Sequence, residues 1–175
     1  MNQNPSINQK SVKFLHIADT HLGYRQYNLD ERYYDYNNVF KYILNKAIEE
    51  KVNFILLSGD VFNNNKLDPT TLTDVYNIIR NFKQNAQKKL HRDIPIITIE
   101  GNHDQRDYGE GESWLNFLSH LKLIVLLKST FNEDDKVFNF DTFTSKEAEG
   151  GMFSIGNINI FGVQYYGSHT EELLP

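Results

Sequence analysis

Residues 14–21 read Phe-Leu-His-Ile-Ala-Asp-Thr-His, an apolar run that ends in two side chains able to ligate a metal, Asp19 and His21. In an extended segment, residues two apart project to the same side. Asp19 and His21 would then leave the strand end aimed at one point. A carboxylate and an imidazole add nothing to the stability of a buried strand, so their place at its mouth predicts a site.

The same plan recurs downstream. Residues 54–57 form a compact apolar run that ends in Ser58-Gly59-Asp60. Residues 94–99 run directly into Glu100-Gly101-Asn102-His103-Asp104. Between these strands the period changes. Val39, Phe40, Ile43, Leu44, Ala47 and Ile48 recur at helical steps over 35–51, after a Tyr-rich loop at 23–32. Asp68-Pro69 reads as an N-cap with proline in the first turn. It opens a helix carrying Leu72, Val75, Ile78, Ile79 and Phe82 to about residue 85, with a charged loop at 88–93. Strand and helix alternation predicts βαβ units, hence an α/β fold whose first sheet is mostly parallel and flanked by helices. Ser113 is placed to cap a shorter helix over 113–121.

After Leu123 the pattern shifts to short strands at 124–127, 137–140, 152–155 and 158–163. The last two, separated by Gly156-Asn157, predict a tight hairpin. Residues 129–136 and 144–151 are expected to be exposed loops. His16, inside the first strand, is expected to be a packed core histidine.

The chain of 175 residues suits one domain, 12–175, preceded by a polar tail at 1–11. Its net charge of -5 argues against a generally basic nucleic-acid binder, so a phosphate-bearing substrate must be held by local cations or metal. The absence of cysteine excludes disulfides, thiolate catalysis and thiolate-bound zinc, and it suits a reducing, intracellular setting. No apolar run approaches the roughly 20 residues of a membrane span.

In open α/β sheets, ligands bind outside the carboxyl ends of the strands. That rule brings Asp19, His21, Asp60 and Asn102 together although they lie far apart in sequence. Oxygen and nitrogen donors without sulfur suit manganese, magnesium or iron. Asp60, on the middle strand, could bridge two ions, with Asp19 and His21 on one and the Asn102 amide oxygen on the other. Two such ions suit in-line phosphoryl displacement. His103 could donate to the phosphate or to the leaving oxygen. Arg25, Tyr27, Asn63 and Arg106 lie beside these motifs as candidate substrate contacts.

Asp-x-His, then Gly-Asp, then Gly-Asn-His-Asp, each after an apolar strand, resembles the calcineurin-like metallophosphoesterase superfamily. His21-Leu22-Gly23-Tyr24-Arg25-Gln26-Tyr27, Gly59-Asp60-Val61-Phe62 and the early Trp114 helix narrow the resemblance to the SbcD-type nucleases of DNA double-strand-break repair, in their archaeal branch. The resemblance implies an α/β/β/α sandwich with only the start of its second sheet within this chain. It implies a dinuclear manganese centre held by Asp19, His21, Asp60 and Asn102, with His103 at the scissile phosphate. Implied partners are DNA, a coiled-coil ABC-type ATPase subunit of the SbcC type, and a second copy joined through helices 69–85 and 113–121. The setting would be the cytoplasm and nucleoid, or the nucleus.

Two departures stand out. Many relatives carry a histidine shortly after Gly-Asp, where this chain has Asn63. The family also needs later histidines, including a Gly-His-x-His pair, which do not occur before Pro175. The chain is therefore expected to end inside the catalytic domain. His169 follows the last strand but does not match the family's ligand position. Alternative expectations are a general metallophosphatase acting on nucleotides or phosphoproteins, and a non-catalytic partner-binding module.

Overall fold

The structure is a computed structural model that describes residues 11–106 and 111–167. The tail at 1–10 and His169 lie outside the described residues. Strand β1 (Phe14–Ile17), helix α1 (Asp30–Glu49), β2 (Phe54–Ser58), α2 (Pro69–Leu90), β3 (Ile96–Ile99), α3 (Trp114–His120) and β4 (Val125–Leu126) follow in chain order. They build one parallel sheet of four strands in the order β1-β2-β3-β4. The register pairs Leu15 with Ile55, Ile55 with Ile96 and Ile97 with Val125.

The two faces of the central strands go to two cores, as expected for a parallel sheet covered on both sides. Leu15, Ile17, Ile55, Leu57 and Ile96 meet Phe40 and Leu44 of α1 and Val75, Ile79 and Phe82 of α2. Leu56, Ile97, Ile99 and Leu127 face the antiparallel hairpin of β7 (Met152–Ile155) and β8 (Ile158–Phe161), through Phe153, Ile155 and Ile160. Between these sheets the chain makes another hairpin, β5 (Thr130–Asn132) with β6 (Val137–Asn139).

Both caps read from the sequence form as expected. The Asp68 carboxylate accepts from the Thr71 amide at 2.9 Å, with Pro69 in the first turn of α2. The Ser113 hydroxyl accepts from the Asn116 amide at 3.1 Å. Several expectations need correction. Helix α1 starts at Asp30 rather than 35, because the polar run 30–34 hides Tyr33, which is 3% exposed and donates its hydroxyl to Asp74 of α2 at 2.6 Å. Helix α2 continues to Leu90, so Lys88 and Lys89 of the expected charged loop are helical, and His91 ends it in the left-handed region at φ 56°. Residues 124–127 do not begin a second architecture; β4 adds a fourth parallel strand to the first sheet. The acidic stretch 129–136 is not simply a loop. It contains β5 and a turn in which the Asn132 side-chain oxygen accepts from the amides of Asp134 and Asp135.

His16 is exposed rather than packed. The β7–β8 hairpin covers β3 and β4, whereas the β1 side of that face carries Phe14 at 50% exposure, stacked on Phe54. His16 lies on this open side, with Nε2 2.8 Å from the Ser58 hydroxyl.

Candidate metal centre

At the carboxyl end of the sheet, the loops after β1 and β2 are zipped together beyond the strands. The amides of His21 and Leu22 donate to the carbonyls of Asp60 and Val61 at 3.0 and 2.8 Å. The Thr20 hydroxyl adds a bond to the Val61 carbonyl at 3.0 Å. Asp19, His21 and Asp60 all have left-handed backbone, with φ of 55°, 42° and 47°. The two residues after β1 therefore converge through turns rather than through the alternation of an extended strand. Non-glycine residues in this region cost on the order of 1–3 kcal/mol each and persist where the surroundings over-determine them.

One ligand atom from each of Asp19, His21 and Asp60 lies within 4.8 Å of the others. Two carboxylates at this range repel, and a cation between them reverses that cost. An imidazole grouped this closely with two carboxylates fits a divalent cation, which would offset their charge. His21 Nδ1 is in addition buried and has no hydrogen-bond partner among the described residues.

The third loop is pressed against the second. Gly59, at φ 76°, packs so closely on Gly101 that a β-carbon on it would lie 3.0 Å from the Gly101 backbone. A β-carbon on Gly101 would lie 2.1 Å from Asp60 Oδ1. The His103 amide donates to that same Asp60 oxygen at 3.0 Å. Asn102, exposed, thus sits between two residues that flank Asp60. The imidazole of His103 stands edge-on to that of His21, with centroids 5.0 Å apart. Its Nδ1 lies 2.8 Å from the Asn63 carbonyl oxygen. A carbonyl can only accept, so Nδ1 carries the proton.

Asp104 is the residue that ties these loops together. It is 2% exposed, and its carboxylate accepts from the amides of Val61, Phe62 and Gly101 at 3.2, 2.9 and 3.0 Å. Burial pushes its carboxyl up to about 6, against the pull of the three amides and with the help of the Asp60 charge. Its place as fourth residue of Gly-Asn-His-Asp marks a loop cap, but nothing in the spacing reveals that it reaches the Gly-Asp loop.

The four candidate substrate contacts part company. Asn63 is at the site through its backbone: its amide donates to the Leu22 carbonyl at 3.0 Å and its carbonyl holds His103. The Arg25 guanidinium lies 3.2 Å from Asp30 and 3.6 Å from Asp68, over the Tyr33 ring. Tyr27 is 78% exposed in a short 3-10 turn. The Arg106 guanidinium lies over the Trp114 indole, 5.0 Å from its centroid, and Trp114 in turn donates to the Asn65 carbonyl.

The chain is similar to the DNA double-strand break repair protein Mre11 of Methanocaldococcus jannaschii, 37% identical over 141 residues, 79% of this chain and 36% of that protein. It is similar to the same protein of Sulfurisphaera tokodaii, 32% identical over 163 residues, 93% of this chain and 35% of the relative. The Sulfolobus acidocaldarius protein matches at 32% over 153 residues, 85% of this chain and 35% of its own length. The chain thus spans little more than a third of these relatives. The model of the calcineurin-like phosphoesterase family matches residues 12–173. The chain belongs to that family, whose fold implies divalent metal ions.

Proposed function

We propose that this chain is part of a manganese-dependent DNA nuclease of double-strand-break repair, its domain running over 12–175. The observation that carries the reading is the convergence of one ligand atom from each of Asp19, His21 and Asp60 within 4.8 Å. Asp19, His21 and Asp60 would hold one ion, and Asp60 and Asn102 a second. Bound divalent ions supply Lewis-acid charge at the phosphate and a water of lowered pKa. His103 does the proton work. With Nδ1 committed to the Asn63 carbonyl at 2.8 Å, Nε2 is the nitrogen that meets the substrate, and the imidazolium form donates from it to the leaving oxygen. Asn63, Arg106, Tyr27 and Arg25 would steady the phosphate backbone, Arg25 with its charge shared with Asp30 and Asp68.

The relatives' names speak of DNA break repair, which favours DNA over nucleotides or phosphoproteins as substrate. A coiled-coil ABC-type ATPase and a second copy of the nuclease are the proposed partners. The dimer proposal draws support from α3, where Phe117 is 42% exposed beside Trp114, and from Leu121 at its end, which is 44% exposed. Helix α2, the other proposed contact, turns polar residues outward, among them Asn77 and Arg80.

The test is cleavage of linear duplex DNA by the full-length protein with manganese. Asp60→Ala should cost more than the roughly 100-fold that loss of an outer-shell partner can cost, and His103→Ala should slow turnover by about 100-fold or more. Wild-type turnover in either variant would overturn the assignment. Turnover of bis-p-nitrophenyl phosphate with none on DNA would reassign the enzyme as a general phosphodiesterase.

A further inference from the structure

The catalytic reading makes no use of Glu100, yet few side chains join more of the molecule. It follows β3 directly and is 7% exposed, where desolvation disfavours an unpaired carboxylate. Its Oε1 accepts a short hydrogen bond from the Ser113 hydroxyl and lies 3.1 Å from the Lys128 ammonium. Ser113 is at the same time the cap of α3, accepting from the Asn116 amide at 3.1 Å. Lys128 follows β4 and is fixed by its own amide, which donates to the Gly150 carbonyl at 3.0 Å. The Glu100 carbonyl accepts from the Tyr165 amide at 2.9 Å, binding the segment after β8.

The turn 100–104 therefore has a buried carboxylate at each end. Asp104 points inward, to the amides of the Gly-Asp loop. Glu100 anchors the other end to α3 and to the segments after β4 and β8. Asn102 and His103 lie between the two anchors. A Gly-containing turn has no stiffness of its own, so its position is set by what holds its ends.

We infer that Glu100 is a positioning residue of the metal centre, fixing the turn that presents Asn102 and His103 through its bonds to Ser113 and Lys128. The inference rests on the proposed metal site. Loss of an outer partner of a metal centre typically costs 10–100-fold in affinity or activity.

The test is manganese binding to the full-length protein, followed by the electron paramagnetic resonance signal of the free ion, beside urea unfolding of each variant. Glu100→Gln should weaken binding at the Asn102 site by about 10-fold. Ser113→Ala should weaken it in the same sense, and Ser113→Thr, which keeps the hydroxyl, should bind as wild type. The serine pair answers the question even if the Glu100 variant does not fold. Wild-type affinity in both Glu100→Gln and Ser113→Ala would overturn the inference and leave the metal site standing. So would a loss of affinity that a stabilising osmolyte fully restores, since that marks a role in folding alone. Failure of the wild type to bind manganese would overturn the metal reading and this inference together.

Discussion

In the body of the parallel sheet, Ile55, Ile96 and Leu126 are each at most 1% exposed and sit in ordinary strand pairing. A few residues on, at its carboxyl-terminal rim, Asp19, His21 and Asp60 take left-handed backbone, and Asp104 is buried with its charge. Every choice in the body lowers the free energy of the fold. At the rim, strained backbone, crowded carboxylates and an imidazole nitrogen without a hydrogen-bond partner among the described residues raise it. The difference teaches where to look for chemistry: a rim that costs stability persists because a rigid body beneath over-determines it.

The sharpest way to break the comparison is to weaken the body and watch the rim. Phe40 of α1 is 1% exposed and packs on the sheet in the larger core. Phe40→Ala should cost about 3–5 kcal/mol, from lost transfer free energy plus the cavity left behind. The urea midpoint should fall accordingly. Divalent-ion binding per folded molecule should largely survive although Phe40 shares a cleft with Ala18, Asp19 and Thr20, because the ligand loops are held by their own backbone bonds and by Asp104. A loss of binding beyond the unfolded fraction would mean that body and rim are not separable.

Gly101 lies on the seam between them. Its backbone continues β3, yet a β-carbon there would lie 2.1 Å from Asp60 Oδ1 and 2.4 Å from the Asp60 amide nitrogen. The Asp60 backbone cannot retreat, since its carbonyl accepts from His21 and its loop is held by Asp104. Gly101→Ala should therefore destabilise by about 1–3 kcal/mol, as overpacking does. Unlike Phe40→Ala, it should also displace Asp60 and weaken ion binding in the molecules that remain folded. Equal stability and affinity in the variant would show that the loops are looser than their packing implies.

The same contrast explains what was legible in the sequence. The body could be read because strands β1 to β3 are continuous apolar runs and helices α1 and α2 carry apolar stripes. The rim's ligand types could be read because Asp19, His21, Asp60 and Asn102 stand where those runs stop. The structure does bring Asp19, His21 and Asp60 together, but through positive φ at Asp19 and His21 rather than strand alternation, and that leaves no mark in composition. Strand β5 is not legible because Ser129, Asn132 and the acids after it are turn formers, and only the hairpin with Phe138 makes Phe131 a strand residue. His16 was misplaced because a strand read alone does not say which face its neighbours leave uncovered. Glu100 passed unremarked as a site residue, although an acid closing an apolar strand before Gly-Asn-His-Asp was a signal in plain view.

Asp68 offers the smallest effect and the most direct link between the two regions. It caps α2, which packs on the body, while Arg25 from the loop after β1 lies 3.6 Å from its carboxylate. The Thr71 amide, followed by the Thr71 hydroxyl and the Arg25 charge, holds the Asp68 carboxyl below its ordinary range. The folded value is lower than the unfolded one, so the stabilisation is fully present above the unfolded pKa of about 3.9 and is lost as pH falls through the folded value. Asp68→Ala should cost about 1 kcal/mol at pH 7, and the gap to wild type should narrow below about pH 4. Asp68→Asn keeps a good cap without a titrating charge, so it should remain near wild type at neutral pH and lose the acid dependence. The exposed Arg25 pair by itself should add well under 1 kcal/mol. If Asp68→Asn costs as much as Asp68→Ala at pH 7, the charge shared with Arg25 matters more than the cap, and the link between rim and body is electrostatic rather than a matter of helix geometry.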